Sequence, residues 1–145
     1  MEWNAAFDIN VSAAFLLASE VIKQFKQQGH GGKIINASGI LPLHTSEYCV
    51  YSASKGAIEA MTRYLAMEFG KDDIQVNAIA FGFMTTGTSL MSADGNTYDE
   101  SILNDIPAKR WGCYKDVDGL LLLLASAQSN YITGTCIPVD GGYSI

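Results

Sequence analysis

Two short runs rich in β-branched and aliphatic residues constrain the fold most: KIINAS at 33–38 and IQVNAIA at 74–80. Each run follows a longer stretch, 8–28 and 49–69, in which apolar residues recur at helical spacing. Short apolar runs bounded by turn residues are typical of buried parallel strands. The alternation of helix and strand therefore predicts an α/β fold with a parallel sheet.

The rest of the chain continues this order. The segment 82–114 is irregular, with short helices predicted around 98–106, and a helix is predicted at 115–127. The segment 134–142 predicts a last strand and a glycine turn, although Pro138 is unfavourable in a central strand. We therefore expect a doubly wound parallel sheet of about three strands with flanking helices, formed as a single unit.

Composition excludes several classes of partner. The net charge of -6 and the pI near 4.7 argue against nucleic acid, because phosphate binding needs clustered Lys and Arg. The longest apolar run, at 120–125, is too short to span a bilayer, and the start MEWNAAFD lacks the pattern of a signal peptide. We expect a cytoplasmic protein that acts on a small-molecule substrate, without a membrane anchor.

The cysteines and histidines show no metal-binding or disulfide pattern. Cys49, Cys113 and Cys136 are odd in number and lack C-x-x-C spacing, which predicts buried reduced thiols. His30 and His44 have no metal-ligand spacing, so no metal site is predicted.

Tyr51 and Lys55 in YSASK would share one face of the predicted helix at 49–69. An adjacent ammonium stabilises a phenolate and lowers its pKa, so the pair could serve as a general acid or base. Such a pair is also an ordinary surface contact of helices. Ser38, at the carboxyl end of a predicted strand, could bind a substrate oxygen or simply form a turn.

Five motifs in order resemble the C-terminal part of a classical short-chain dehydrogenase/reductase. They are WNAAFDINVSAAF, KIINAS, YSASKGAIEAMTRYLAMEFG, IQVNAIAFGFMTT and YITGTCIPVDGGY. The segment 93–112 is most similar to the gluconate 5-dehydrogenase-like branch, whose deoxygluconate dehydrogenases act on sugar acids. The resemblance implies a partial Rossmann-type fold, NAD or NADP as cofactor, and hydride transfer between nicotinamide and a secondary alcohol or ketone of a sugar acid or polyol.

The resemblance also implies roles for the catalytic residues. Tyr51 would be the acid/base, and Lys55 would lower its pKa and bind the nicotinamide ribose hydroxyls. Ser38 would orient the substrate oxygen, and Asn10 would hold a water that links Lys55 to solvent. The family serine falls on Ser38 when counted from Tyr51 but on Gly39 when counted from the start of the strand, and we place it at Ser38.

Two further residues would meet the nicotinamide. Thr86 matches a loop threonine that contacts the carboxamide, and Gly82 would let the backbone approach the ring. Phe81 departs from the family, which has proline before this glycine, so a rigid turn is replaced by a bulky ring.

The family's glycine-rich cofactor turn is not found in residues 1–145. The resemblance therefore implies the C-terminal catalytic half of a dinucleotide-binding domain, which alone should bind cofactor poorly and show no appreciable turnover. The helices at 8–28 and 49–69 match those that form the family's dimer interface, which implies a homodimer or homotetramer. The alternative function is a noncatalytic oligomerisation or interaction module that retains the scaffold.

Overall fold

The computed structural model describes residues 2–40, 49–85 and 100–145. Its helices and strands, in chain order, are α1 (Trp3–Phe7), a π-helical segment (Asp8–Ser12), α2 (Ala13–Gln28), β1 (Gly32–Gly39), α3 (Cys49–Phe69), β2 (Ile74–Phe81), α4 (Glu100–Asp105), α5 (Tyr114–Ala125) and β3 (Cys136–Val139). Of the predicted short helices at 98–106, the part before residue 100 lies outside the described residues.

The three described strands form one parallel sheet in the order β1, β2, β3. The central strand β2 is buried along residues 74–80, as its sequence rich in aliphatic residues predicts, and Gln75 and Asn77 are buried with it. Pro138 lies in β3, at an edge of the sheet, where a strand can tolerate a missing backbone N–H. The predicted α/β fold with a parallel sheet is confirmed.

Apolar residues cover both faces of this sheet. One cluster joins the sheet to α2 and α3, and the other joins it to α5. The first contains Ala18, Ile22, Leu65, Ala66, Ile74 and Val76, and the second contains Ile79, Val117 and Leu124. Helices on both faces give the doubly wound arrangement that the sequence predicts, with the site at the carboxyl ends of the strands.

The N-terminal helix, Trp3–Gln28, begins earlier than the predicted boundary at residue 8 and contains the π-helical segment. It ends at Gly29, whose φ of 73° is the left-handed conformation expected of a helix stop. By length and hydropathy it could cross a bilayer, which the longest run of consecutive apolar residues does not indicate. Here Ala18 and Ile22 pack it against the sheet.

The cysteines differ in part from the prediction. All three are free thiols, but Cys49 is exposed at the start of α3, and Cys113 and Cys136 are half-buried. The usual tendency of a free cysteine to be buried therefore does not account for the exposed position of Cys49.

Candidate active site

Tyr51 and Lys55 lie in the first two turns of α3, beside the carboxyl end of β1. The Lys55 Nζ atom is 5.5 Å from the centre of the Tyr51 ring and donates a 3.1 Å hydrogen bond to the carbonyl oxygen of Ala37. The Ile40 N–H donates to the Phe81 carbonyl oxygen of β2. Because the backbone groups of successive strand residues point to opposite edges, the Ala37 carbonyl oxygen points to the edge of β1 that faces away from β2. The predicted pair is therefore brought together at the edge and end of the first strand.

Burial changes the electrostatics of this pair from the predicted pattern. Burial raises the pKa of Tyr51 above its ordinary value of 10.0, and burial lowers the pKa of Lys55 below 10.5. Both shifts disfavour the charged form of the side chain. The expected lowering of the Tyr51 pKa by Lys55 is therefore wrong for this structure, in which the ammonium faces the ring and bonds a carbonyl oxygen.

Asn10 reaches this site through Ser54. Its side-chain Nδ2 donates a 3.0 Å hydrogen bond to the Ser54 hydroxyl, which donates a 2.7 Å bond to the carbonyl oxygen of Tyr51. Asn10 lies in the π-helical segment, and π-helical turns are often found at functional sites. The structure therefore links Asn10 to the backbone of Tyr51, whereas its predicted role as a water ligand remains a prediction.

The structure places the Ser38 side chain away from its expected position. Its hydroxyl, almost fully buried, lies 3.4 Å from Glu59 Oε1 and 3.5 Å from the Lys55 carbonyl oxygen, and its single proton is shared between these two acceptors. These contacts direct Ser38 into the packing between β1 and the second and third turns of α3. They do not support our placement of the substrate-orienting serine at Ser38.

Gly39 is the strand residue that meets the Tyr51 hydroxyl. A β-carbon at Gly39 would clash with this hydroxyl and would lie 3.1 Å from the Tyr51 Cζ atom. Successive strand residues point to opposite faces, so Ser38 cannot share this position. The geometry thus favours the other count along the strand, in which the family's serine position carries a glycine.

The remaining cofactor-site predictions have different outcomes. A β-carbon at Gly82 would lie 2.5 Å from the Asp140 Cα atom. This close backbone packing is a sufficient reason for glycine at position 82, without any contact to a cofactor. Phe81 ends β2 and packs in the apolar cluster beneath α5. Thr86 lies outside the described residues, as does His44.

A cavity of about 790 Å³ adjoins the end of β1. Gly39, Glu59, Cys136 and Tyr143 contribute to its wall. This volume is large enough for a sugar-sized molecule. Sequence reasoning missed Ser54 and Glu59, although both lie within four residues of Lys55, because a serine or a glutamate on a helix face is usually a solvated residue.

Comparisons with known proteins agree with this architecture. Residues 1–144 match the family model described as "Enoyl-(Acyl carrier protein) reductase". A 2-dehydro-3-deoxy-D-gluconate 5-dehydrogenase from Dickeya dadantii (strain 3937) is 40% identical over 97% of this chain and 56% of that relative. The enzyme of the same name from Escherichia coli (strain K12) is 37% identical over 98% of this chain and 56% of that relative.

A solved structure shows the same fold. The gluconate 5-dehydrogenase from Burkholderia cenocepacia J2315, in complex with NADP and tartrate, has a TM-score of 0.88 and 29% identity. The match covers 98% of this chain and 56% of that chain. The chain therefore spans about half the length of the relatives it matches.

Proposed function

Because the chain belongs to the short-chain dehydrogenase/reductase family, we propose that it carries the acid–base half of an NAD(P)-dependent oxidoreductase. The observation that carries this proposal is the pairing of Tyr51 and Lys55 at the carboxyl end of β1, where the Lys55 Nζ atom lies 5.5 Å from the centre of the Tyr51 ring. Ligands of open α/β sheets bind at this end of the strands. The substrate would be a secondary alcohol or the corresponding ketone.

Lys55 has the chemistry needed to hold the nicotinamide ribose. An ammonium has three N–H donors, and the bond to the Ala37 carbonyl oxygen uses one of them. The remaining donors suit ribose hydroxyls, so the residues present fit this end of NAD or NADP. When bound, that cofactor supplies or accepts the hydride.

Tyr51 is the proposed general acid and base of the reaction. In the alcohol-forming direction its hydroxyl donates a proton to the substrate oxygen, and in the ketone-forming direction its phenolate removes that proton. Burial raises the pKa of Tyr51 further above neutral pH, so the described state suits the donor role. Removal of a proton requires a nearby positive charge, and Lys55 is the residue placed to supply it.

The proposed substrate class rests on the relatives. We infer a sugar acid or polyol such as gluconate or a deoxygluconate, because the named relatives act on such compounds. Tyr143 and Ser144 contribute polar groups to the 790 Å³ cavity next to Gly39, but neither Tyr51 nor Lys55 lines this cavity, so it does not define the substrate. We place this activity in the cytoplasm.

A tyrosine replacement tests the catalytic proposal. The native protein is assayed for NAD- and NADP-dependent oxidation of gluconate and reduction of its keto acids, before and after Tyr51→Phe. We expect turnover to fall by about 10²–10⁴-fold, the usual contribution of general acid–base catalysis. The matched control is Tyr64→Phe, because Tyr64 is exposed on the same helix. Equal activity of the two variants would exclude Tyr51 as the acid/base.

Residues 1–145 would form the catalytic half of a dinucleotide-binding domain of the relatives' length. The coverage of 56% of those relatives supports this proposal. The intact mass of the native protein tests it. A mass well above 15.6 kDa, with a glycine-rich cofactor segment, is expected. A native mass of 15.6 kDa would favour the alternative role as a noncatalytic interaction module.

We also propose self-association through the N-terminal helix and α3. Large apolar side chains on these helices are exposed: Ile9, Phe15, Leu16, Leu17 and Met67. A second copy would remove this apolar surface from water, giving a homodimer or homotetramer. Leu16→Glu should shift the sedimentation coefficient toward that of the monomer, whereas Lys115→Glu, at an exposed position of α5, should leave it unchanged. A monomeric native protein would contradict this assembly.

A further inference from the structure

Resting on the acid–base role proposed for Tyr51, we propose that Gly39 is a positioning residue for that side chain. The lack of a side chain at position 39 lets the Tyr51 hydroxyl lie against the end of β1. A β-carbon there would occupy the space that this hydroxyl takes, and would also crowd the Tyr51 Cζ and Cε1 atoms at 3.1 and 3.4 Å.

The backbone conformation of Gly39 does not require glycine. Gly29 and Gly31 have φ angles of 73° and 70°, which side chains rarely adopt, whereas Gly39 lies in a regular strand and is not among the positive-φ glycines. Glycine in a strand weakens it and often marks a close approach by another group. The approaching group at Gly39 is the Tyr51 hydroxyl.

The backbone is held on both sides of this contact. Gly39 is in register with Phe81, and the next residue, Ile40, donates a 3.0 Å hydrogen bond to the Phe81 carbonyl oxygen. The Tyr51 carbonyl oxygen accepts the 2.7 Å bond from Ser54. A new side chain at position 39 would therefore displace the end of the tyrosine ring more readily than either backbone.

The described end of β1 has no hydroxyl placed to orient a substrate oxygen beside Tyr51. The hydroxyl of Ser38 bonds Glu59 and the Lys55 carbonyl oxygen, and position 39 has no side chain. Among the described residues of β1, none directs a hydroxyl to the place where the Tyr51 hydroxyl lies. The missing side chain of Gly39 thus leaves the space in which the acid–base oxygen lies.

The experiment measures the titration of Tyr51 in the native protein and in its Gly39→Ala variant. Isotope-labelled tyrosine is followed by NMR, and the Tyr51→Phe spectrum identifies the Tyr51 resonance. Among the described residues, Lys55 is a charged group that faces Tyr51 from α3, and residues 37–39 of β1 carry no titratable side chain. We expect Gly39→Ala to move the hydroxyl toward water, so that the Tyr51 pKa falls toward 10.

Gly119→Ala is the matched control, because Gly119 lies in α5 with nothing within 4 Å of the added carbon. It should leave the Tyr51 titration unchanged. An equal titration of Tyr51 in the Gly39→Ala and Gly119→Ala variants would overturn the proposal.

A double variant keeps the test decisive where Gly39→Ala unfolds. If the added methyl group strains the protein through the Tyr51 hydroxyl, Tyr51→Phe should restore part of the melting temperature lost in Gly39→Ala. Equal losses with and without the hydroxyl would overturn the proposal. Neither readout involves turnover, so failure of the dehydrogenase assay would refute the proposed function without affecting this result.

Discussion

The side-chain amide of Asn10 donates a 3.0 Å hydrogen bond to the hydroxyl of Ser54, a residue 44 positions later in the chain. Ser54 is fully buried, and its hydroxyl donates a hydrogen bond to the carbonyl oxygen of Tyr51. The π-helical segment thus supports the first turns of α3, where the candidate acid–base pair lies. The contact joins the two helices at the site.

Asn10→Ala should therefore destabilise the fold. It leaves the buried Ser54 hydroxyl without its described donor, and we expect a loss of about 1 kcal/mol in the free energy of unfolding. Urea denaturation provides the measurement. Asn4→Ala is the control, because Asn4 is exposed on α1. Equal midpoints for the two variants would show that the Asn10 bond contributes nothing to stability.

Gly82→Ala should also destabilise the protein. A β-carbon at this position would lie 2.5 Å from the Cα atom of Asp140, and backbone atoms cannot rotate away. Overpacking of this kind costs about 1–3 kcal/mol, which thermal denaturation should detect as a lower Tm.

Gly119→Ala makes the opposite change in an open part of α5. The added carbon has nothing within 4 Å, and alanine stabilises a helix interior by about 1 kcal/mol relative to glycine. We expect its Tm to rise. A Tm for Gly82→Ala at or above that of the unmodified chain would refute the packing explanation for this glycine.

The sequence was sufficient to predict the elements whose pattern is local. The aliphatic-rich segment at 74–80 predicts the buried central strand, and Gly29 predicts the end of α2, because both signals lie in neighbouring residues. The Asn10 bond to Ser54 was not predictable from local pattern, since it joins residues far apart in the chain.

The position of the strand serine failed for a different physical reason. The count back from Tyr51 places the family serine at Ser38, and the count forward from the start of the strand places it at Gly39. A shift of one residue in a strand changes the face to which a side chain points. Ser38 consequently packs against Glu59, while Gly39 meets Tyr51. Spacing alone could place a serine near the tyrosine but could not determine its direction. The pKa of Tyr51 was mispredicted because i, i+4 spacing gives proximity without the degree of burial.

Cys136 should make the stability depend on alkaline pH. Burial, together with the nearby Glu59 carboxylate, raises the pKa of this thiol from 9.0 to about 11. A raised pKa in the folded state means that the contribution is complete below pH 9 and is lost as the pH rises toward 11. The free energy of unfolding should therefore fall across this interval.

Cys136→Ser removes the titrating thiol and should flatten this fall. Cys49→Ser is the control, because Cys49 is exposed and its replacement should leave the slope unchanged. The raised pKa of Tyr51 contributes a fall in the same direction, so the difference between the two variants is the quantity to compare. Identical slopes from urea denaturation at a series of pH values would contradict the prediction.

Asp116 should make the stability depend on acidic pH. The Arg110 guanidinium binds its carboxylate through hydrogen bonds of 2.7 and 2.8 Å, and the Cys113 N–H adds a third at 2.8 Å, at the start of α5. The Arg110 bonds first, and then the Cys113 N–H, hold the pKa of Asp116 well below its ordinary value of 3.8. A lowered pKa in the folded state gives stability that is present above the unfolded pKa and is lost as the pH falls below it.

Asp116→Asn should therefore reduce the loss of stability between neutral pH and acid. Thermal denaturation at a series of pH values measures this slope, and Asp118→Asn, exposed on the same helix, provides the matched control. Because the pair with Arg110 is exposed, added salt should screen part of the Coulomb attraction and weaken the effect, while the hydrogen bond from Cys113 persists. If Asp116→Asn and Asp118→Asn change the acid slope equally at low salt, the cap of α5 does not account for the acid dependence.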